Sequence, residues 1–279
     1  MRRLLLTPVL ALLVAACSAA PASPATPATP AATFAPVTPA PGGPAELQVY
    51  AASSLKKVLV EVARVYEAAT PGITLTVSTD SSAALEAKIE QGAPADVFLS
   101  ADTRNPTRLA DAGLATGDLT AFAASHLTVI VPTGNPAGIT SPADLAKPGL
   151  KIIACADGVP IQAYTATLLA NLAKEAGYPA DFAAAFDANV VSREDSAGGI
   201  VNKVSLGEGD AGVVYVTDAN TSDKVATIAI PATANVPATY GGVVVRASAH
   251  AEAAGAFLAW LAGPDGQAVL AGFGFLPAS

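Results

Sequence analysis

The strongest constraint on this chain is an alternation of short strand-like and helix-like segments that begins at Leu47 and keeps one style to the C-terminus. LQVYAA (47–52) is a short apolar run of strand formers. SLKKVLVEVARVYEAAT (54–70) spaces Leu55, Val58, Leu59, Val62 and Val65 along one helix face, and Pro71 with Gly72 stops it. ITLTVS (73–78) alternates like a strand. Ser81 and Ser82 precede a short helix, AALEAKIEQG, closed by Gly92, and ADVFLSAD (95–102) reads as a third buried strand. The order β-α-β-α-β calls for a parallel sheet with crossover helices.

The remainder continues in kind. HLTVIVP (126–132), LKIIACA (150–156), AGVVYVT (211–217), VATIAIP (225–231) and GGVVVRA (241–247) read as strands. Residues 164–177, 198–209, 249–263 and 263–274 read as helices, and no repeat of solenoid period is present.

The first 45 residues are of another kind. Arg2 and Arg3 open the chain, and an apolar stretch from Leu4 to Ala16 follows, too short for a comfortable membrane span. It reads as an export signal over residues 1–16. Val14, Ala15, Ala16 and Cys17 resemble the bacterial lipobox, so Cys17 is expected to carry lipid and to hold the protein outside the cell membrane. Residues 18–45 hold eight prolines and no charged residue, a composition that cannot bury a core and favours extended conformations. We read Cys17 and the stretch through residue 45 as a tether, and the folded part as 46–279.

Composition removes several functions. Lys and Arg number 15 against 23 Asp and Glu, a net charge of −8, and loss of residues 1–16 takes two arginines and no acids, giving −10. A nucleic-acid binder would carry a basic face, so none is expected as a partner. Two cysteines and two histidines leave little for a disulfide scaffold or a metal cluster. Cys155, inside KIIACADG, reads as an inert buried residue.

Four strand-to-helix junctions carry small and hydroxylated residues: AASS (51–54), TDSSAA (79–84), DGVPIQ (157–162) and EDSAGG (194–199). Ligands of open α/β sheets bind outside the carboxyl ends of strands. A helix N-terminus there offers unpaired N–H groups and the positive end of its dipole, and several converging would cage an anion without a charged side chain. Any one of these serines is equally explained as a helix cap.

VYAASSLKKVLVEVARVYE, DSSAALEAKIEQGAPADVFLSAD and GEGDAGVVYVTDA resemble the periplasmic molybdate-binding proteins of ABC importers, and the resemblance runs in order through residues 46–276. It implies an α/β, two-lobe, type II periplasmic-binding-protein fold, each lobe a mainly parallel sheet flanked by helices. Two hinge strands, near 126–132 and 225–231, would join lobe one (46–126 plus 230–279) to lobe two (130–226). It implies a protein that captures molybdate, or tungstate, between its lobes and delivers it to an ABC permease. No cofactor, catalytic residue or directly bound metal cation is implied, and we expect a monomer.

Carried over by motif, the ligand would be held by Ser54 of AASSL and Ser82 of DSSAAL through hydroxyl and amide. Ile161 of GVPIQAY would offer its amide, Ser196 of EDSAGG its amide and hydroxyl, and Tyr215 of GVVYVTDA its phenol. Asp80 stands where that family has a small neutral residue, Gln162 replaces a frequent glycine, and the Ser196–Gly199 helix start departs from the usual pattern. Asp80 and Asp195 are the carboxylates that would repel a dianion if they faced it. The same fold could instead take sulfate. A secreted serine hydrolase is the remaining alternative, disfavoured by the lack of a G-x-S-x-G elbow and the two histidines, His126 and His250. GEGDAG (207–212) matches a nucleotide-binding glycine pattern, but a helix precedes it and a strand follows, so it reads as a helix stop and turn.

Overall fold

The computed structural model describes residues 44–278. The expected signal segment, Cys17 and most of the tether lie outside the described residues. The first strand begins at Ala45, one residue inside the expected tether, where the Ala45 N–H donates to the Gly72 carbonyl at 2.9 Å.

Two five-stranded sheets carry the chain. The first contains β1 (Ala45–Ala52), β2 (Ile73–Asp80), β3 (Val97–Ser100), β4 (Ala115–Ser125) and β10 (Ala238–Val245), in the order β2-β1-β3-β10-β4. The second contains β5 (Leu127–Pro132), β6 (Ile152–Cys155), β7 (Val190–Glu194), β8 (Ala211–Tyr215) and β9 (Val225–Ile228), in the order β7-β6-β8-β5-β9. In each sheet three strands run parallel, and a fourth, β10 or β5, is antiparallel to both its neighbours. Both reversed strands come directly after the chain has crossed from one sheet to the other.

The first crossing is abrupt: β4 ends at Ser125 and β5 begins at Leu127. The second runs through residues 229–237, which form no strand. The segments expected as hinge strands therefore coincide with β5 and β9, neighbours inside the second sheet, and the crossings lie just before one and just after the other. Asn235 ties the two crossings together: its side-chain oxygen accepts from the Leu127 N–H at 3.1 Å, and its amide donates to the Leu127 carbonyl at 2.8 Å.

The first sheet is flanked by α1 (Lys56–Ala69), α2 (Ser82–Glu90), α3 (Arg104–Asp111), α8 (Ala251–Ala262) and α9 (Pro264–Gly272). The second is flanked by α4 (Pro160–Leu172), α5 (Phe182–Ala188), α6 (Ala197–Ser205) and the single turn α7 (Val216–Ala219). Helix α1 buries Val58, Leu59, Val62, Val65 and Tyr66, the face that its spacing announces. Fully burying such side chains contributes about 1.5–3 kcal/mol each. Tyr66 sits 5.0 Å, ring centroid to ring centroid, from both Phe257 and Trp260, which locks α1 to α8.

GEGDAG is a helix stop. Gly207 takes φ +74°, its N–H donates to the Val204 carbonyl, and Glu208 N–H donates to the Lys203 carbonyl, which closes α6 in a Schellman turn. Gly212 then lets β8 pass close to β6 and α6: a Cβ there would stand 2.3 Å from Ile200 Cγ2 and 3.0 Å from the Ile153 carbonyl oxygen.

Candidate functional site

Four parallel strands end on one side of the molecule, and each hands the chain to a helix start. β1 runs into a 3-10 turn (Ser53–Leu55) and α1, β2 into α2, β6 into α4 and β7 into α6. Two of these starts belong to the first sheet and two to the second. They meet around a cavity of about 230 Å³ of empty space, its mouth included. Ser54, Ser82, Ile161, Ser196 and Tyr215 all line it. The structure thus brings the five expected residues together. It adds Ser53, Ser81 and the small apolar residues Ala52, Ala101 and Ala197, and no charged side chain is among the lining residues.

The polarity of this lining follows from who holds each hydroxyl. Ser82 Oγ, buried, accepts from the Ala101 N–H at 3.0 Å. Ser196 Oγ caps α6 by accepting from the Gly199 N–H at 3.2 Å. Ser54 Oγ, buried, accepts from the Tyr240 hydroxyl at 3.1 Å. A serine hydroxyl has one hydrogen to give. In all three cases protein donors engage the oxygen and leave that hydrogen for the cavity. Tyr215 is 1% exposed and its hydroxyl has no partner among the described residues. Burial, first of all, pushes its phenol well above the ordinary tyrosine value, so it stays protonated and able to donate. Ser81 Oγ likewise accepts from the Ala84 N–H at 3.2 Å, as the cap of α2.

Main-chain donors add to these. The first N–H groups of a helix have no partner inside it. In α4 the first position is Pro160, which has none to offer, so the Ile161 amide is the first available at that terminus.

Nearby carboxylates are turned elsewhere. Asp80 accepts from Lys88 Nζ at 2.7 Å and from the Ser81 N–H at 2.8 Å. The Lys88 bond is the main cause that holds its carboxyl below the ordinary aspartate value. Glu194 lies 2.9 Å from Lys203 Nζ and accepts from Ser192 Oγ at 2.6 Å. Asp195 is exposed and does not line the cavity; nor does Gln162. His126 lies between β4 and β5 and His250 precedes α8; neither lines the cavity. Cys155 is buried in β6, where burial pushes its thiol far above the usual range, as an inert residue requires.

Behind the lining stand groups that sequence reading missed. Tyr240, on β10, packs 5.7 Å from the Tyr215 ring and holds Ser54. Thr217 and Asp218 on α7 are buried, and Thr217 Oγ1 and Asp218 Oδ2 lack partners. Burial pushes the Asp218 carboxyl up to about 7. Tyr240 stands 186 residues from Ser54, and nothing local in the sequence signals that contact.

Two mixed lobes with a donor-lined cavity between them define a solute receptor, and comparison with known proteins agrees. Residues 47–276 match the family described as bacterial extracellular solute-binding protein, and the chain belongs to that family. It is 33% identical to the molybdate-binding protein ModA of Mycobacterium tuberculosis over 241 residues, 85% of this chain and 88% of that one. Among solved structures, the substrate-binding domain of a putative molybdenum ABC transporter from Clostridium difficile aligns at TM-score 0.63 and 26% identity, covering 84% of this chain and 99% of that one. The sulfate-binding protein SubI of M. tuberculosis shares the fold at TM-score 0.74 and 22% identity, over 83% of this chain and 86% of that one.

Proposed function

We propose that this protein captures molybdate, and with it tungstate, between its lobes and hands it to an ABC permease in the membrane. The observation that carries the reading is the cavity's hydrogen-bond polarity. Ser54, Ser82 and Ser196 have their oxygens engaged from behind, Tyr215 has a free buried hydroxyl, and helix starts from both sheets converge with no charge among the lining residues. Such a site suits a tetrahedral dianion that only accepts hydrogen bonds. Hydrogen phosphate must also donate one, and the lining offers no carboxylate to receive it. The M. tuberculosis relative, a molybdate-binding protein, points the same way.

The ligand-binding residues in this reading are Ser54, Ser82, Ile161, Ser196 and Tyr215. Lobe one comprises 46–126 plus 230–279 and lobe two 130–226. The ligand touches both lobes, favours the closed form by the difference in affinity, and so presents a closed shape to the permease. The protein works as a monomer without a cofactor, held outside the cell membrane by lipid on Cys17. We read it as a binding protein and not an enzyme, in keeping with the solute-binding family that it belongs to.

Isothermal titration calorimetry of the purified protein with molybdate, tungstate, sulfate and phosphate at neutral pH tests this. One-to-one binding of molybdate and tungstate, with phosphate silent and sulfate far weaker, is the expected result. A preference for sulfate would keep the site and change its solute. Silence with all four from folded, ligand-free protein would overturn the reading.

A further inference from the structure

The three serines proposed to hold the ligand, Ser54, Ser82 and Ser196, are held from behind in two different ways. Ser82 and Ser196 are held by main-chain N–H groups, those of Ala101 and Gly199. A main-chain N–H only donates, and no side-chain substitution removes it. Ser54 is held by a side chain, the Tyr240 hydroxyl, which donates to Ser54 Oγ over 3.1 Å inside the protein. Tyr240 is completely buried and does not itself line the cavity.

Accepting that bond has two consequences for Ser54. Its oxygen is engaged on the protein side, which leaves the hydroxyl hydrogen for the cavity, and the O–H is polarised into a stronger donor. Without it, a serine at the start of a helix turns its hydrogen toward nearby main-chain carbonyls. The phenol is suited to the task. Burial, together with the Asp218 charge, pushes it well above the ordinary tyrosine value, and the bond to Ser54 offsets only part of this, so it keeps the hydrogen that it donates. Its ring is held independently of its oxygen, with ring centroids 5.4 Å from Phe275, 5.7 Å from Tyr215 and 6.1 Å from Phe122.

We propose that Tyr240 is a positioning residue of the binding site, one that fixes the Ser54 hydroxyl as a donor to the bound oxyanion. The proposal rests on the cavity being an oxyanion site, and the experiment separates the two. Wild type, Ser54→Ala, Tyr240→Phe and the double variant are titrated with molybdate, and thermal melts confirm that each is folded. Tyr240→Phe alone weakens binding about three- to tenfold, the scale of one hydrogen bond. In the Ser54→Ala background the same change has an effect under about twofold, because the residue through which Tyr240 acts is gone. A control pair in the Ser82→Ala background keeps the full loss. A packing role would give equal losses with and without Ser54, and that result overturns the proposal, as does a Tyr240→Phe protein with wild-type affinity. Wild-type protein that binds no tetrahedral anion overturns the oxyanion reading itself.

Discussion

Replacing Ser82 by alanine separates what this residue does for the fold from what it does for the ligand. In the ligand-free protein Ser82 Oγ accepts the buried Ala101 N–H at 3.0 Å. Alanine leaves that donor without a partner, at a cost of about 1–3 kcal/mol. For a domain of this size each kcal/mol lowers Tm by about 2–4 °C, so a fall of roughly 2–12 °C is expected without ligand. The second loss is the hydrogen bond to the anion. Bonds to a charged partner contribute about 1.5–3 kcal/mol, a weakening of roughly 10- to 150-fold in Kd. Calorimetry with molybdate reads the second loss directly, and melts with and without molybdate read both. At a concentration 1,000 times the wild-type Kd the ligand stabilises by about 4.1 kcal/mol, and a 100-fold weaker variant retains about 1.4 kcal/mol of that. A variant that loses stability but binds molybdate with unchanged Kd would refute Ser82 as a ligand donor. One that loses affinity at unchanged Tm would refute the role of its bond to Ala101.

Four further perturbations follow from the same geometry. Tyr215→Phe removes a buried hydroxyl that has no partner among the described residues, so urea denaturation should show stability unchanged or raised, while calorimetry shows molybdate binding about tenfold weaker or more. Asp218 titrates near 7 in the folded protein against 3.8 ordinarily, so the folded state holds more protons between those values and stability falls as pH rises from 4 through 7, by at most about 4 kcal/mol; Asp218→Asn should flatten that slope in urea melts from pH 5 to 8. Gly212→Ala forces a Cβ to 2.3 Å from Ile200 Cγ2 and 3.0 Å from a β6 carbonyl, and should lower the urea midpoint by the equivalent of about 1–3 kcal/mol. Lys88→Ala leaves Asp80 without its cation, and should weaken molybdate binding a few-fold at low salt with the difference fading near 1 M, where the Debye length is about 3 Å.

Legibility along the chain tracks how completely each element is buried. In the stretch from β1 to β3, β3 is readable because all four of its residues, VFLS, are buried and three of them are apolar, and β2 because Ile73, Thr74, Leu75 and Thr76 alternate between buried and exposed. β4 escapes the pattern: its first half, ATGDLT, is largely solvent-facing, contains Gly117 at φ +70°, and pairs with β10 through irregular register. β7 is an edge strand of half-exposed and exposed residues, VVSRE, and so has no apolar signature. α3, RNPTRLAD, buries Asn105, Pro106 and Leu109, two of them poor helix formers, and α5 is a seven-residue run rich in alanine. At the site, Ser54, Ser82, Ile161 and Ser196 stand at junctions that local rules mark, whereas Tyr215 enters only by family resemblance. Asp80 illustrates what no local rule decides. Its direction depends on Lys88, the single basic residue in the last turn of α2, reaching back to the helix start.

Asp80 and Glu194 also resolve how an acidic chain can hold an anion. Each sits just ahead of a helix that opens onto the cavity, one on α2 in the first lobe and one on α6 in the second. Each is paired with the lysine in the last turn of that same helix: Asp80 with Lys88 at 2.7 Å, Glu194 with Lys203 at 2.9 Å. Half-exposed pairs of this kind add little to stability. Their consequence is electrostatic: they draw these two carboxylates onto cations outside the cavity. They do so at the helix ends whose positive dipole and unpaired N–H groups face inward. The net charge of −8 then governs long-range encounter, while an anion in the proposed site would meet only oriented dipoles. Substituting a lysine into the cavity would add attraction for any anion alike. A set of neutral donors fixed in direction by Ala101, Gly199 and Tyr240 discriminates instead by whether the anion carries a proton, which is the distinction a receptor for fully deprotonated oxyanions must make in a medium rich in hydrogen phosphate.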